Sequence, residues 1–185
     1  MEIRALRESD DRSDFRSGDA DLDRFLHKYA GQNQFRHHLG TTYAAVEGNR
    51  VAGYATVAPG HIEIEQLSSD LRKRLPPYPL PILRLARLAV DDSLRGRGVG
   101  RQLLRFVLDL AVRLARDFGC LGVVVDAKPE AVSFYEQFGF APLEVIEGHS
   151  EARPPATAMF LTLSEIKAAV CSRNSTMFWN QRLAV

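Results

Sequence analysis

Leu88-Ala89-Val90-Asp91-Asp92-Ser93-Leu94-Arg95-Gly96-Arg97-Gly98-Val99-Gly100-Arg101 closes one structural element and opens another. An apolar run ends at Val90, glycines stand at positions 96, 98 and 100, and an amphipathic pattern begins behind them. Glycine lets a backbone turn sharply and approach a ligand closely. The N–H groups at a helix start, with the helix dipole behind them, favour an anion such as phosphate. Arg95, Arg97 and Arg101 add positive charge at the same end. Two familiar phosphate loops do not fit. A P-loop needs Gly-Lys-Ser/Thr after its first glycine and spacer, and a dinucleotide fingerprint needs a third glycine where Arg101 stands. The spacing that fits is Arg-x-x-Gly-x-Gly, from Arg95 through Gly98 to Gly100. On its own this spacing also describes a glycine-rich turn entering a helix, with its arginines merely solvated.

Upstream of this stretch, residues 82–90 read as a strand with Leu83, Leu85, Arg87 and Ala89 on one face. Downstream, residues 98–118 give the strongest helical pattern of the chain. Its apolar stripe is Leu103, Leu104, Val107, Leu110, Ala111 and Leu114, and Gly119 supplies the stop. Residues 121–125 form a continuous apolar run, as in a buried strand. Residues 129–138 read as a short helix opened by Pro129 and closed by Gly139. Residues 140–146 and 157–163 read as late strands separated by a loop over 147–155.

On the N-terminal side, residues 2–6 suggest a first strand. Residues 19–35 suggest a helix, with Leu22, Phe25, Leu26, Tyr29 and Ala30 at helical spacing and Asp19 or Asp21 as cap. Residues 41–46 and 51–57 form a strand pair around Gly48-Asn49. Residues 62–75 read as a helix or partly helical loop. The prolines between Pro76 and Pro81 then force an extended connection. This order predicts one mixed α/β domain over residues 1–170. The tail over 171–185 has no clear period and reads as disordered or cloning-derived.

A second segment, Ala131-Val132-Ser133-Phe134-Tyr135-Glu136-Gln137-Phe138-Gly139-Phe140, follows the next strand. Together the two segments resemble the GNAT N-acetyltransferase family: its pyrophosphate-binding motif, then its Phe-Tyr-x-x-x-Gly-Phe motif. The resemblance covers roughly residues 2–163. It implies a twisted, mostly antiparallel mixed sheet, splayed between its fourth and fifth strands and flanked by helices. It implies acetyl-CoA as cosubstrate, held by the backbone of Leu88, Ala89 and Val90 along its pantetheine arm. Arg95, Gly96, Arg97, Gly98, Val99, Gly100 and Arg101 would hold the pyrophosphate. Tyr135 aligns with the family tyrosine that meets the CoA sulfur. The chemistry agrees, because a phenol of pKa about 10 can lend a proton or a hydrogen bond as charge develops on a departing sulfur whose thiol pKa is about 8.5. One departure is Lys128-Pro129, where many relatives carry an Asn that touches the cofactor.

No general base stands out. Glu63, Glu65, Asp126 and Glu130 are candidates by location only. A lysine amine, with pKa about 10.4, needs strong deprotonation, whereas an α-amine near 7.7–8.0 is already partly neutral. The missing base therefore favours an α-amino acceptor.

Further marks resemble one branch of the family, the acetyltransferase toxins of toxin–antitoxin pairs. They are Phe15-Arg16-Ser17-Gly18, Leu22-Asp23-Arg24-Phe25-Leu26, Ala30, Asn33-Gln34, Gly53-Tyr54, Tyr78-Pro79-Leu80-Pro81 and the run from Arg84 to Asp91. That branch implies acetylation of the α-amine of aminoacyl-tRNA, a homodimer, and neutralisation by a small ribbon-helix-helix antitoxin. The alternatives are a family member acting on a small amine or protein N-terminus, and a non-catalytic acyl-CoA-binding regulatory domain. Candidate RNA contacts are Arg36-His37-His38, Arg72-Lys73-Arg74, Arg84 and Arg87.

Composition is compatible with this. The chain has 185 residues, 45% hydrophobic and 25% charged, with net charge +1, so any nucleic-acid contact must come from local clusters. No apolar run reaches membrane-span length, and Met1-Glu2-Ile3-Arg4 does not open a secretory signal. Cys120, Cys171, His27, His61 and His149 form no ligand pattern. The expectation is a cytoplasmic protein with no metal and no membrane.

Overall fold

The computed structural model describes residues 1–48, 50–143 and 156–171. Its strands are β1 (Glu2–Ala5), β2 (Thr41–Glu47), β3 (Arg50–Ile62), β4 (Leu80–Val90), β5 (Gly122–Ala127), β6 (Ala141–Pro142) and β7 (Thr157–Thr162). Its α-helices are α1 (Ala20–Arg24), α2 (Ser69–Arg72), α3 (Val99–Asp117), α4 (Val132–Glu136) and α5 (Leu163–Cys171). The hydrogen-bonded strand order is β1-β2-β3-β4-β5-β7-β6. The pairs β1–β2, β2–β3, β5–β7 and β6–β7 are antiparallel. β4 and β5, joined through α3, run parallel. This is the mixed α/β architecture that the pattern of elements predicts.

The chain divides into two compact units, and the boundary runs through β4. The first unit is Met1–Pro59 with Leu85–Leu108; the second is Gly60–Arg84 with the chain from Asp109 onward.

The first unit is built on Leu6, Phe15, Phe25, Leu26, Val51 and Tyr54, all buried. Burying each such side chain stabilises by about 1.5–3 kcal/mol. The Tyr54 ring lies edge-on to Phe15 at 5.6 Å and stacks on Phe25 at 6.1 Å. Its hydroxyl donates to the Leu22 carbonyl at 2.8 Å, so the phenol's polar end is satisfied inside an apolar cluster. Asp19 caps α1, accepting from the amides of Asp21 at 3.0 Å and Leu22 at 3.2 Å. The helical stretch then differs from the regular helix predicted over 19–35. Two π-helical segments, Phe25–Tyr29 and Gln32–Arg36, follow α1. The wider turn lets Phe25, Leu26 and Ala30 stay buried while Tyr29, predicted on the same stripe, is 45% exposed.

In α3 the expected stripe is buried at Leu103, Leu104, Val107 and Ala111, whereas Leu110 and Leu114 are only partly covered. The helix stops before Gly119, whose φ is +83°.

The second unit packs Ile62, Leu67, Leu80, Ile82, Val124 and Phe160 together. Of the helix or partly helical loop expected over residues 62–75, it is the partly helical loop that forms. β3 continues to Ile62, and only a 3-10 turn (Ile64–Gln66) and the four-residue α2 follow. Burial of Ile62 and Leu67 in this core outweighs the local helical pattern. α5 was not anticipated. Thr162 and Glu165 open it as a reciprocal cap: Thr162 Oγ1 accepts from the Glu165 amide at 3.2 Å, and Glu165 Oε2 accepts from the Thr162 amide at 3.1 Å. The expected loop over 147–155 and the tail from 172 onward lie outside the described residues, as do positions 144–146 of the strand expected over 140–146.

Candidate functional site

Asp91 sits where β4 ends. It is 2% exposed and serves as a hub. Its Oδ1 accepts from the Ser93 hydroxyl at 2.5 Å, the Ser93 amide at 3.1 Å and Arg50 Nη2 at 2.8 Å. Its Oδ2 accepts from the Arg16 amide at 3.3 Å. Burial pushes this carboxyl up, but the hydrogen bonds outweigh it and hold Asp91 below the usual carboxylate range. The hub anchors a 3-10 turn, Asp92–Leu94, that directs the chain into the glycines.

Gly96 and Gly98 take left-handed φ values of +75° and +79°. A side chain there would be strained by the backbone alone. A Cβ built at either would meet nothing within 4 Å, so the loop presents bare backbone to open space. The first α3 hydrogen bond runs from the Gln102 amide to the Gly98 carbonyl at 3.0 Å. The Val99 and Gly100 amides in the first turn therefore have no intrahelical acceptor. Left-handed glycines, an open face and helix-start amides suit a diphosphate, so the residues present fit the phosphate end of acetyl-CoA.

Gly53 on β3 explains how α3 begins so close to the sheet. A Cβ there would lie 2.9 Å from the Ala89 carbonyl oxygen, 3.0 Å from Leu103 Cδ1 and 3.1 Å from Val99 Cγ1. Ala89 is buried, while Leu88 and Val90 are partly exposed.

The arginines of this segment are not alike. The Arg95 guanidinium pairs with Asp92 at 2.8 Å and donates to the Ser17 carbonyl, so it braces the loop from outside. Its positive charge at the helix start is thus shared with Asp92. Arg97 is exposed and Arg101 partly exposed.

In the second unit, the turn Pro129–Ala131 leads into α4, which carries Tyr135. Tyr135 is 5% exposed. Its ring lies edge-on to Phe134 at 5.2 Å and to Phe140 at 5.5 Å. Burial pushes its phenol well above the ordinary tyrosine range. The group is thus a neutral donor at physiological pH. Gly139, at φ +90°, turns the chain so that Phe140 packs back on Tyr135.

Two of the candidate bases, Asp126 and Glu63, have a basic neighbour. Asp126 pairs with Arg84 at 2.6 Å. Glu63 lies 3.6 Å from His61, and Glu65 and Glu130 are exposed. The candidate RNA contacts divide similarly. Arg87 stacks 3.8 Å above the Phe25 ring, and Arg72 Nε donates to the Leu67 carbonyl at 2.6 Å. Arg36, His37 and His38 are exposed. Among the described residues no group of three or more His, Cys, Asp or Glu side chains could hold a metal, and no helix is long and apolar enough to cross a membrane.

Fold and loop together define an acyltransferase of the acyl-CoA-binding type, and the comparisons agree. Residues 38–142 match the model of the acetyltransferase (GNAT) domain, and the chain belongs to the GNAT acetyltransferase family. It is 34% identical to the tRNA-acetylating toxin of Mycobacterium tuberculosis (strain ATCC 25618 / H37Rv), over 140 residues covering 74% of this chain and 82% of that protein. Among solved structures it resembles AtaT complexed with acetyl-methionyl-tRNAfMet, with a TM-score of 0.80, 26% identity, and coverage of 91% of this chain and 98% of that one. It also resembles AtaTR bound with AcCoA, with a TM-score of 0.74, 26% identity, and coverage of 91% and 97%.

Proposed function

We propose that this protein transfers an acetyl group from acetyl-CoA to the α-amine of aminoacyl-tRNA, and that it acts as the toxin of a toxin–antitoxin pair. The observation that carries the reading is the 34% identity to a tRNA-acetylating toxin over most of both chains. The toxin-branch marks support it. Phe15, Phe25 and Tyr54 form one buried cluster, and Gly53 lets α3 start against β3.

Acetyl-CoA supplies an activated acetyl thioester. The backbone of Leu88, Ala89 and Val90 pairs with the pantetheine arm as an added strand pairs with an edge. Residues 95–101 hold the pyrophosphate through loop and helix-start amides. The acceptor amine attacks the thioester carbonyl as a neutral nucleophile. The C–N bond forms as the C–S bond breaks, the electron pair leaves with sulfur, and the Tyr135 hydroxyl donates a proton to it. The ammonium proton of the product passes to water, and the phenol is restored from solvent. A dedicated base is unnecessary because an aminoacyl ester amine is less basic than a free α-amine, itself near 7.7–8.0.

The partners that go with this reading are aminoacyl-tRNA, a small ribbon-helix-helix antitoxin and a second copy of the chain, all in the cytoplasm. The test is transfer of labelled acetyl from acetyl-CoA to a pool of charged tRNAs. Label on the aminoacyl group supports the reading. Label only on small amines or peptide N-termini replaces it.

A further inference from the structure

The segment Arg16-Ser17-Gly18 touches the phosphate loop at several points. The Asp92 amide donates to the Arg16 carbonyl at 2.7 Å, and the Arg95 guanidinium donates to the Ser17 carbonyl. Gly18, at φ +77°, lies so near that a Cβ would stand 3.0 Å from Asp92 Oδ2 and 3.3 Å from Arg95 Nη2. The segment is itself held from α1. Asp23 Oδ1 accepts from the Ser17 amide at 2.8 Å and from the Ser17 hydroxyl at 2.6 Å, and Ser17 is 3% exposed. Asp23 is fixed in turn, its amide donating to the Asp19 carbonyl at 2.9 Å in the first turn of α1. One path of hydrogen bonds therefore runs from Asp23 through Ser17 to Arg95, the residue before Gly96.

We propose that Asp23 and Ser17 are positioning residues for the acyl-CoA donor: they hold Arg95 so that the Gly96–Gly100 backbone keeps the curvature that a diphosphate requires. The inference rests on the assignment of the donor site to residues 88–101. Its physical basis is that left-handed glycines carry no side chain to hold their own geometry. The loop's shape must then come from what grips its flanks. Asp91 and Arg95 both grip the flank upstream of Gly96, and Arg95 is held on the Asp23–Ser17 side. Bonds to a carboxylate are among the stronger hydrogen bonds, and loss of the acceptor leaves the buried Ser17 donors unmatched.

The test is acetyl-CoA affinity by calorimetry on the intact chain, alongside kinetics and thermal unfolding. Asp23→Ala is expected to raise the acetyl-CoA Kd by about tenfold, the scale of one charge-assisted hydrogen bond. KM for acetyl-CoA should rise with it, while kcat at saturating donor stays near the wild-type value. Asp23→Asn keeps a carbonyl oxygen for both Ser17 donors and should recover most of the affinity. A merely structural aspartate would not give this split between KM and kcat with rescue by Asn. If Asp23→Ala does not fold, Ser17→Ala carries the test. It removes the hydroxyl bond, keeps the amide bond, and should weaken binding by roughly threefold. Gly98→Ala serves as the control for the site itself. Weakened binding in Gly98→Ala with unchanged binding in the Asp23 and Ser17 variants overturns the positioning role alone. Unchanged binding in Gly98→Ala overturns the site assignment beneath it.

Discussion

Asp91 accepts four hydrogen bonds at the end of β4, and its carboxyl stays below the ordinary carboxylate range despite burial. Asp10 is the parallel case. Both terminal nitrogens of the Arg4 guanidinium donate to it, Nη2 at 2.7 Å and Nη1 at 2.8 Å, and lower its pKa. A carboxyl depressed in the folded state contributes stability that is fully present above its unfolded value of about 3.9 and is lost as pH falls below it. Asp91→Ala should cost roughly 2–3 kcal/mol at neutral pH, since several donors including a guanidinium lose their acceptor. Denaturant titrations at pH 7 and pH 3 check this. The gap between variant and wild type should be larger at pH 7 than at pH 3. A constant gap between the two pH values would contradict the sign. Tyr135 has the opposite shift, so its phenol remains protonated through the physiological range. Activity should therefore show no loss from tyrosine ionisation below about pH 10.

At the scale of elements, two junctions carry consequences that can be measured. Gly53→Ala forces a Cβ to within 2.9 Å of the Ala89 carbonyl oxygen and against Val99 and Leu103. Overpacking of this kind costs about 1–3 kcal/mol. Because Val99 opens α3, acetyl-CoA affinity should fall with stability, and calorimetry with thermal unfolding reads both. Thr162→Ala removes the cap of α5 and should cost about 1 kcal/mol by denaturant titration with acetyl-CoA affinity unchanged. α3 and β4 were legible from sequence because long apolar stripes and a strand–glycine–helix order leave few alternatives. β3 was read too short because Pro59-Gly60 looks like a breaker, yet the strand runs through both. The π-helical turns after α1 were not legible, since a widened turn leaves the spacing of the remaining apolar residues helical. α5 carried a readable signal in Thr162-Leu163-Ser164-Glu165, the spacing of a capping box. At the site, residue type and spacing point to the loop and to Tyr135 as candidates. The bracing of Arg95 by Asp92 and Ser17 was not legible, because it joins residues that are distant in sequence.

At the scale of the whole molecule, the donor loop and Tyr135 are proposed to serve one acetyl-transfer reaction. Tyr135→Phe removes the proton donor while keeping the ring that packs on Phe134 and Phe140. General-acid contributions of this kind are worth about 10²–10⁴-fold in rate. The most direct measurement is transfer of labelled acetyl from acetyl-CoA to charged tRNA by wild type and by Tyr135→Phe, with acetyl-CoA binding measured in both. The expected result is label on the aminoacyl moiety with wild type, transfer reduced at least about a hundredfold in the variant, and equal donor affinity. A wild-type protein that binds acetyl-CoA and labels no charged tRNA would contradict it.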